Sequence, residues 1–380
     1  MKEIAFNVPY LTGNETKYIQ EAVSLGKISG DGLFTKRCHS FFEKKYNFKK
    51  VLLTTSCTDA LEIAALLIGI QPNDEVIMPS YTFVSTANAF VLRGAKIIFA
   101  DSRQDHPGID ELSIERLITK KTKAIVVVHY AGVACDMEVV QRIANKYSLF
   151  LIEDAAQAIN SFYKGKPLGS FGDLAAFSFH ETKNIMCGEG GMLVVNNEKF
   201  ADRAEIIREK GTNRSSFFRG EVDKYGWVDV GSSFLPSDML AAFLMAQLEN
   251  IGIIQERRIQ IWQLYYELLK EIDGEVKLPQ MPDFATNNAH MFYIVCKSLS
   301  ERTLLSKFLK ANSINAVFHY QSLHKSVFYT SLYGDSHDLN EADRFTDCLL
   351  RLPMYFELSN SDVLMICKVI KEFYELSYND

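Results

Sequence analysis

Short apolar runs alternate with helical patterns along the first part of the chain. The apolar runs have the length of strands and occupy residues 51–54, 75–79, 95–101, 124–128 and 149–153. Helical patterns occupy residues 13–25, 34–46, 59–67 and 137–147, and another ends near residue 92. This alternation predicts an α/β fold with a mostly parallel sheet that is covered by helices on both faces.

Polar and aromatic residues follow four of these runs, at residues 55–58, 81–83, 129 and 154–157. In parallel sheets the ligand lies at the carboxyl ends of the strands, so we expect these residues to surround one site. The turn at 55–58 leads into a helix, whose free N–H groups and dipole favour an anion. Ser56 and Thr58 add hydroxyls there, although either could serve only as a helix N-cap.

The second half of the chain has a different pattern. A strand at 192–195 and a charged helix at 199–210 precede a long polar and aromatic loop at 211–233. A helical pattern then runs from 239 to about 272, followed by a proline-containing linker. Strands near 291–295 and 316–320 and helices near 303–312 and 361–376 predict a smaller α+β domain. We therefore expect a large domain at 1–250 and a small domain at 251–380, with the helical connection and linker at about 251–282.

Composition excludes several classes of partner. The 380 residues carry a formal net charge of −6, which argues against nucleic acid and against a polybasic membrane face. No run approaches the ~18 apolar residues of a membrane span, and residues 1–6 do not form the start of a signal peptide. Seven scattered cysteines without a C-x-x-C pair favour free thiols over disulfides or a metal site. These features predict a cytoplasmic protein.

The stretch at 178–191 contains one lysine, Lys183, between Ser178 and a cluster of glycines. Upstream, Asp154 ends an apolar run. A lone lysine is usually a solvated surface residue. Together, however, an amine, a carboxylate at a strand end and a hydroxyl beside glycines are the groups that a pyridoxal 5′-phosphate site needs: the amine forms a Schiff base, the carboxylate pairs with the pyridinium nitrogen and the hydroxyl helps to hold the phosphate.

Four motifs, at residues 56–61, 79–83, 153–158 and 178–191, resemble those of the DegT/DnrJ/EryC1/StrS sugar nucleotide aminotransferases, and matching stretches cover nearly the whole chain. The resemblance implies a fold-type I pyridoxal phosphate-dependent transferase, with a mostly parallel central sheet in a large domain and a smaller α+β C-terminal domain. Residues 128–135, 180–184 and 208–215 look most like enzymes that make dTDP-4-amino-4,6-dideoxygalactose. The resemblance therefore implies a place in O-antigen or enterobacterial common antigen synthesis.

The resemblance also implies roles for individual residues. Lys183 would carry the cofactor, with pyridoxamine 5′-phosphate as the intermediate form, and Asp154 would pair with its ring nitrogen. Gln157 would bond the phenolic oxygen, and Phe83 would lie against the ring face. The phosphate would be held by a group of small residues, Ser56, Cys57, Thr58 and Ser178.

One motif departs from the family pattern. Many relatives carry G-x-N-x-R, whose Asn reaches the cofactor phosphate of the neighbouring subunit, whereas residues 231–235 read Gly-Ser-Ser-Phe-Leu here. Ser233 therefore stands in place of that Asn. The family still implies a homodimer, or a dimer-based oligomer, with the active site at the interface.

The expected substrates are L-glutamate and dTDP-4-dehydro-6-deoxyglucose. Arg214, Arg219 and Lys224 are candidates to bind the diphosphate, because arginine suits phosphate bidentately, although they could equally be solvated loop charges. His129 could contact substrate or be a structural histidine. His319 and Tyr320 are further candidates from the small domain.

Other activities remain open at this point. The enzyme could make the 4-amino-gluco epimer, or it could act at C3 of a related dTDP-keto sugar. A pyridoxamine-dependent dehydratase of this family carries His where Lys183 stands, so Lys183 speaks against that activity. A regulatory protein with a relic site is disfavoured by the intact set of Asp154, Gln157, Ser178 and Lys183.

Overall fold

The computed structural model describes residues 3–334 and 338–377. Its strands are β1 (Val51–Thr54), β2 (Glu75–Pro79), β3 (Lys96–Ala100), β4 (Thr122–Val128), β5 (Phe150–Asp154), β6 (Phe162–Tyr163), β7 (Lys166–Pro167), β8 (Leu174–Ser178), β9 (Gly191–Val195), β10 (Phe292–Val295), β11 (Val317–Phe318) and β12 (Leu349–Leu352). Its α-helices are α1 (Glu15–Ser24), α2 (Leu33–Tyr46), α3 (Cys57–Leu67), α4 (Val84–Val91), α5 (Ile114–Leu117), α6 (Met137–Tyr147), α7 (Ala201–Arg208), α8 (Arg214–Phe218), α9 (Asp238–Glu249), α10 (Ile251–Leu269), α11 (Leu299–Ala311), α12 (Val327–Tyr333), α13 (Asn340–Cys348) and α14 (Asn360–Ser377).

Seven strands form the central sheet, in the order β1-β9-β8-β5-β4-β2-β3. Strand β9 runs antiparallel to both of its neighbours, and every other pairing is parallel. The mostly parallel sheet predicted from the sequence is therefore confirmed. The sequence did not predict β8, which is buried between β5 and β9 and carries Ser178 to the same edge as Asp154.

Alternate residues of the strands face opposite layers of helices, as the pleat of a strand requires. In β4, for example, Ile125 and Val127 belong to a core with α2, α6 and α9, whereas Ala124 and Val126 belong to a core with α3, α4 and α7. The sheet is thus covered on both faces. Helix α3 begins at Cys57, two residues before the predicted start, so that Ser56 becomes its N-cap.

The C-terminal part contains a three-stranded antiparallel sheet in the order β10-β12-β11. Helices α10, α11 and α14 pack around this sheet in a separate apolar core. Ile4 also packs into that core and pairs with Ile314, although it lies at the other end of the chain. Strand β12 and helices α12 and α13 were not predicted, and the domain boundary near residue 250 stays a prediction.

The loop at 211–233 contains helix α8 and is held at its base by bridges from Thr212 to Trp227 and from Glu209 to Ser233. Its outer residues are exposed, with the Trp227 side chain 84% exposed. The long helical pattern after this loop is divided at Asn250 into α9 and α10. None of the helices in the described part of the chain has the length and hydrophobicity needed to cross a lipid bilayer.

Candidate active site

A cavity of about 500 Å³ lies at the carboxyl ends of the central strands, beside the C-terminal sheet. Ten of the residues singled out from the sequence line it: Ser56, Cys57, Thr58, Phe83, Asp154, Gln157, Ser178, Lys183, His319 and Tyr320. The structure therefore brings together side chains that are up to 264 positions apart in the sequence (320 − 56 = 264). The cavity gathers acids, a lysine, hydroxyls and aromatic rings at one edge of the sheet.

One wall of the cavity is the turn between β1 and α3. The Ser56 hydroxyl accepts a hydrogen bond from the Asp59 N–H at 3.0 Å, and the Thr58 hydroxyl donates to Ser85 at 2.8 Å. Gly191 lies so close that a Cβ there would be only 2.2–2.4 Å from the backbone of Ser56 and Cys57. Ser56 is thus an N-cap that also faces the cavity, and the helix N-terminus behind it favours an anionic group such as phosphate.

Asp154 ends β5 with a buried side chain. Its Oδ2 accepts a hydrogen bond from the Thr86 hydroxyl at 2.6 Å, and its Oδ1 accepts one from the Ala156 N–H at 3.1 Å. No described residue forms an ion pair with it. Burial raises the pKa of Asp154, and the Thr86 hydrogen bond opposes that rise. A cation in the cavity, such as a protonated pyridine ring, would stabilise this carboxylate.

Lys183 follows β8 and is also enclosed by the cavity walls. Burial lowers the pKa of Lys183 to about 8, and the charge of Arg351 contributes to the same shift. Its amine has no ion-pair partner among the described residues. An amine with a lowered pKa is present in part as the neutral nucleophile at neutral pH, which Schiff-base formation requires.

Gln157 connects the two parts of the cavity wall. Its Oε1 accepts a hydrogen bond from the Ala131 N–H at 2.6 Å, and its Nε2 donates to the Tyr320 hydroxyl at 3.2 Å. The ring of Phe83 lies 5.9 Å from that of Tyr320, and its side chain is 54% exposed. A carboxylate and an amine without ion-pair partners among the described residues, a turn at a helix N-terminus and an aromatic face therefore fit pyridoxal 5′-phosphate by the chemistry of their groups.

Several cavity residues were missed from the sequence: Ser85, Thr86, His180, Thr182, Glu189, His290 and Arg351. Thr86 follows Phe83 by three residues, and its place on the first turn of a helix at the strand edge was a usable signal. His290 and Arg351 come from the C-terminal part, and only the folded chain shows that they reach the cavity.

His129 does not line the cavity, and this corrects its predicted contact with substrate. Its side chain is fully buried, and its Nε2 lies 3.0 Å from Glu153 Oε2. Glu153 also accepts hydrogen bonds from the backbone N–H groups of Gly169, Phe171 and Gly172. His129 is therefore part of a buried polar network beneath the site.

The loop cations also lie outside this cavity. Arg214 forms an ion pair with Glu209 at 3.2 Å, and Arg219 forms ion pairs with Glu205 and Glu221 at 2.8 and 2.7 Å. Lys224 is exposed. Within one chain these cations therefore behave as solvated loop charges, and their contact with the substrate diphosphate is not supported there.

Ser233 is likewise exposed and does not line the cavity of its own chain. Its predicted contact was with the cofactor phosphate of a second subunit. That contact stays a prediction.

Comparison with known proteins agrees with this geometry. Residues 9–371 match the model of the DegT/DnrJ/EryC1/StrS aminotransferase family. The chain is 33% identical to GDP-perosamine synthase of Escherichia coli O157:H7 over 375 residues, which cover 98% of this chain and 99% of that protein. The aminotransferase TlmJ of Streptoalloteichus hindustanus superposes with a TM-score of 0.91 at 26% identity, covering 99% of this chain and all of TlmJ.

The protein Spr1654 of Streptococcus pneumoniae is similar to this chain in both its pyridoxamine and its pyridoxal phosphate forms, in that order, each with a TM-score of 0.91 at 25% identity. The alignments cover 99% and 98% of this chain and 100% and 99% of Spr1654. The fold is that of the fold-type I transferases, and the cofactor is pyridoxal 5′-phosphate. The chain belongs to the DegT/DnrJ/EryC1/StrS aminotransferase family and is a sugar nucleotide aminotransferase.

Proposed function

We propose that this protein transfers the amino group of L-glutamate to C4 of dTDP-4-dehydro-6-deoxyglucose, giving dTDP-4-amino-4,6-dideoxygalactose and 2-oxoglutarate. The observation that carries the chemistry is the presence of a partly buried Lys183 and a buried Asp154 in one cavity, both without an ion-pair partner among the described residues. The dTDP sugar and the galacto product rest on the resemblance at residues 128–135, 180–184 and 208–215.

The phosphate group of the cofactor would be held by Ser56, Cys57, Thr58 and Ser178. Gln157 would bond its phenolic oxygen, and Phe83 would cover one ring face. The support for these roles is that all six residues line the cavity. When bound, the cofactor supplies an aldehyde that accepts the amino group and a ring that accepts electrons from the reacting carbon.

Asp154 would hold a proton at the pyridine nitrogen, because a carboxylate in a buried site favours an adjacent cation. Lys183 would act as the general base that takes the proton from Cα of the amino donor. In the second half-reaction it would return a proton to C4 of the sugar. The face from which Lys183 delivers that proton determines whether the amine is axial, as in galacto, or equatorial, as in gluco.

The interface role of Ser233 is also part of this proposal. The loop at 211–233 exposes Phe218, Tyr225 and Trp227, and exposed aromatic residues that cluster on one loop are typical of an interaction surface. In a homodimer this loop would bring Ser233, Arg214, Arg219 and Lys224 towards the partner's cavity. Light scattering gives the oligomeric state of the native protein and of Trp227→Ser. The native protein should be dimeric, and the variant should dissociate more readily.

The reaction itself is tested by incubating the purified holoenzyme with L-glutamate and dTDP-4-dehydro-6-deoxyglucose. We expect the NMR spectrum of the product to show the small proton couplings at C4 that an axial amine produces. Large couplings would identify the gluco epimer, and an amine on C3 would identify the alternative regiochemistry. Lys183→Ala is the control, and turnover by that variant would contradict the role of Lys183.

A second candidate substrate is a GDP-linked keto sugar, which the 33% identity to GDP-perosamine synthase favours. The same incubation with a GDP-linked 4-keto-6-deoxyhexose distinguishes the two nucleotides. A higher kcat/KM for the dTDP sugar supports the proposal, and a higher value for the GDP sugar overturns the choice of nucleotide.

A further inference from the structure

Arg351 is a buried cation in the active-site cavity, and none of the described residues provides it with a counter-charge. It lies on β12, where it pairs with Tyr293 and Val317 of the two neighbouring strands. The residue is 9% exposed and lines the cavity together with Lys183. Its Nε is buried without a hydrogen-bond partner, and no described carboxylate forms an ion pair with its guanidinium.

The neighbours of Arg351 hold it in place without neutralising it. The ring of Phe6 lies 4.7 Å from the guanidinium carbon, which is a cation–π contact. Tyr130 and Tyr320 lie near enough to influence its charge, but a tyrosine hydroxyl is neutral at physiological pH. Burial lowers the pKa of Arg351. An anion that bound beside it would therefore remove an unfavourable uncompensated charge.

The other ionisable groups described in the cavity are not available to bind an anionic group of a substrate. Burial holds the pKa values of His290 and His319 well below their usual range, so both are neutral at pH 7. Glu189 lies 3.6 Å from His180 and is largely exposed. Lys183 and Asp154 have the roles in cofactor chemistry that are proposed above. Arg351 is then the one cavity cation, among the described residues, that stays free for a substrate.

We propose that Arg351 binds a carboxylate of the amino donor through the two parallel N–H groups of its guanidinium. This inference rests on the proposed function, in which an amino acid and a sugar nucleotide use the same cavity in turn. A guanidinium fork matches a carboxylate in bidentate geometry.

The alternative anion, the diphosphate of the sugar nucleotide, fits this place less well. In the sugar, the diphosphate is attached to C1, across the ring from the reacting C4. With C4 at Lys183, the diphosphate must therefore extend away from the buried end of the cavity. In glutamate the α-carboxylate is attached directly to the reacting Cα, and the carbon of the γ-carboxylate is three bonds away from Cα. A single buried cation beside Lys183 therefore suits the amino acid.

The test is equilibrium binding of two unreactive probes to the holoenzyme: glutarate for the donor carboxylates and dTDP for the diphosphate. Arg351→Gln should weaken glutarate binding by about 10- to 100-fold, the loss expected for a charge-assisted hydrogen bond, and leave dTDP binding unchanged. Unchanged glutarate affinity, or a loss confined to dTDP, would overturn the assignment.

Two further variants guard against a folding artefact. Arg351→Lys keeps the charge but loses the fork, so glutarate affinity should be intermediate. Arg142→Gln is the matched control, because Arg142 is exposed on α6 and does not line the cavity, so this variant should bind glutarate as the native protein does. If Arg351→Gln does not fold, equal glutarate binding by Arg351→Lys and the native protein overturns bidentate binding.

The two carboxylates are separated by comparing L-norvaline, which lacks the γ-carboxylate, with 4-aminobutyrate, which lacks the α-carboxylate. The reaction of each amine with the holoenzyme is followed by the visible spectrum. Arg351→Gln should slow the reaction of the amine that carries the carboxylate bound by Arg351. If neither reaction is slowed, the proposal fails. Because glutarate binding needs no sugar, the Arg351 assignment can stand even if the proposed sugar substrate is wrong.

Discussion

The Thr86 hydroxyl lies 2.6 Å from Asp154 Oδ2 and donates a hydrogen bond to it. The Thr82 hydroxyl lies 2.9 Å from that of Thr86, within hydrogen-bond distance. This short chain of hydroxyls orients Asp154 towards the cavity and stabilises its charged form, because a hydrogen bond to a carboxylate favours the ion.

We predict that Thr86→Val lowers kcat/KM by about 10-fold, the effect of losing one hydrogen bond to a charged group. Thr86→Ser keeps the hydroxyl and should retain most of the activity. Steady-state kinetics with L-glutamate measures both variants. Equal activity of the valine and serine variants would show that this hydrogen bond does not contribute.

The lowered pKa of Lys183 makes cofactor attachment dependent on pH. Below a pH of about 8 the amine is mainly the ammonium ion, which cannot attack an aldehyde, and above it the neutral amine predominates. The rate at which cofactor-free protein reacts with pyridoxal 5′-phosphate should therefore rise with pH through about 8. Stopped-flow absorbance measures it, and butylamine under the same conditions corrects for titration of the aldehyde itself.

Asp154→Asn provides an internal check, because the Asp154 charge raises the pKa of Lys183. The midpoint should move to lower pH in this variant. A midpoint near 10.5, the ordinary pKa of a lysine, in the native protein would contradict the effect of burial.

Gly191 allows β9 to pass against the turn at Ser56, and a methyl group there would overlap the backbone. We predict that Gly191→Ala weakens pyridoxal 5′-phosphate binding about 10-fold or more, because overpacking of this size costs about 1–3 kcal/mol. Gly252→Ala is the matched control, since no atom lies within 4 Å of a Cβ at that helical position. Absorbance titration of the cofactor-free proteins gives both affinities.

His129→Leu should reduce stability without changing the KM for the sugar nucleotide. The substitution removes the imidazole from buried Glu153, at a cost of roughly 1–3 kcal/mol in the free energy of unfolding. His319→Leu is the contrasting variant, because His319 lines the cavity and should alter KM. Chemical denaturation and steady-state kinetics separate the two effects. A raised KM in His129→Leu with unchanged stability would instead support contact between His129 and the substrate.

The free energy of unfolding should also depend on pH through Glu153. Burial raises the pKa of Glu153, but the hydrogen bonds from His129 and from backbone N–H groups outweigh this and hold the pKa below the ordinary value of a glutamate. A carboxylate with a lowered pKa stabilises the folded state above its unfolded pKa. That contribution is lost as the pH falls through the folded pKa.

The strands of the large sheet were predictable because each is a short apolar run between polar turns. Strand β8 was not, because Leu174–Ser178 contains two alanines and no β-branched residue and follows a glycine-rich segment. The residues at the strand ends were predictable for the same reason as the strands, since parallel strands bring their carboxyl ends to one edge.

The contribution of the C-terminal part could be predicted only in part. His319 and Tyr320 were identified through family resemblance, whereas Arg351 sits in a Leu-Leu-Arg-Leu strand whose single charge suggests a solvent-facing position. Its burial depends on contact with Phe6, a residue 345 positions earlier (351 − 6 = 345). Local pattern carries no information about such a contact.

The pairing of Ile4 with Ile314, and of the Phe6 carbonyl with the Met354 N–H at 3.2 Å, sets an order of events on the ribosome. Ile4 and Phe6 must wait, undocked, until Ile314 and Met354 have been translated. A nascent chain that has already formed the central sheet would thus present Asp154 and Lys183 before Arg351 completes the wall of the cavity.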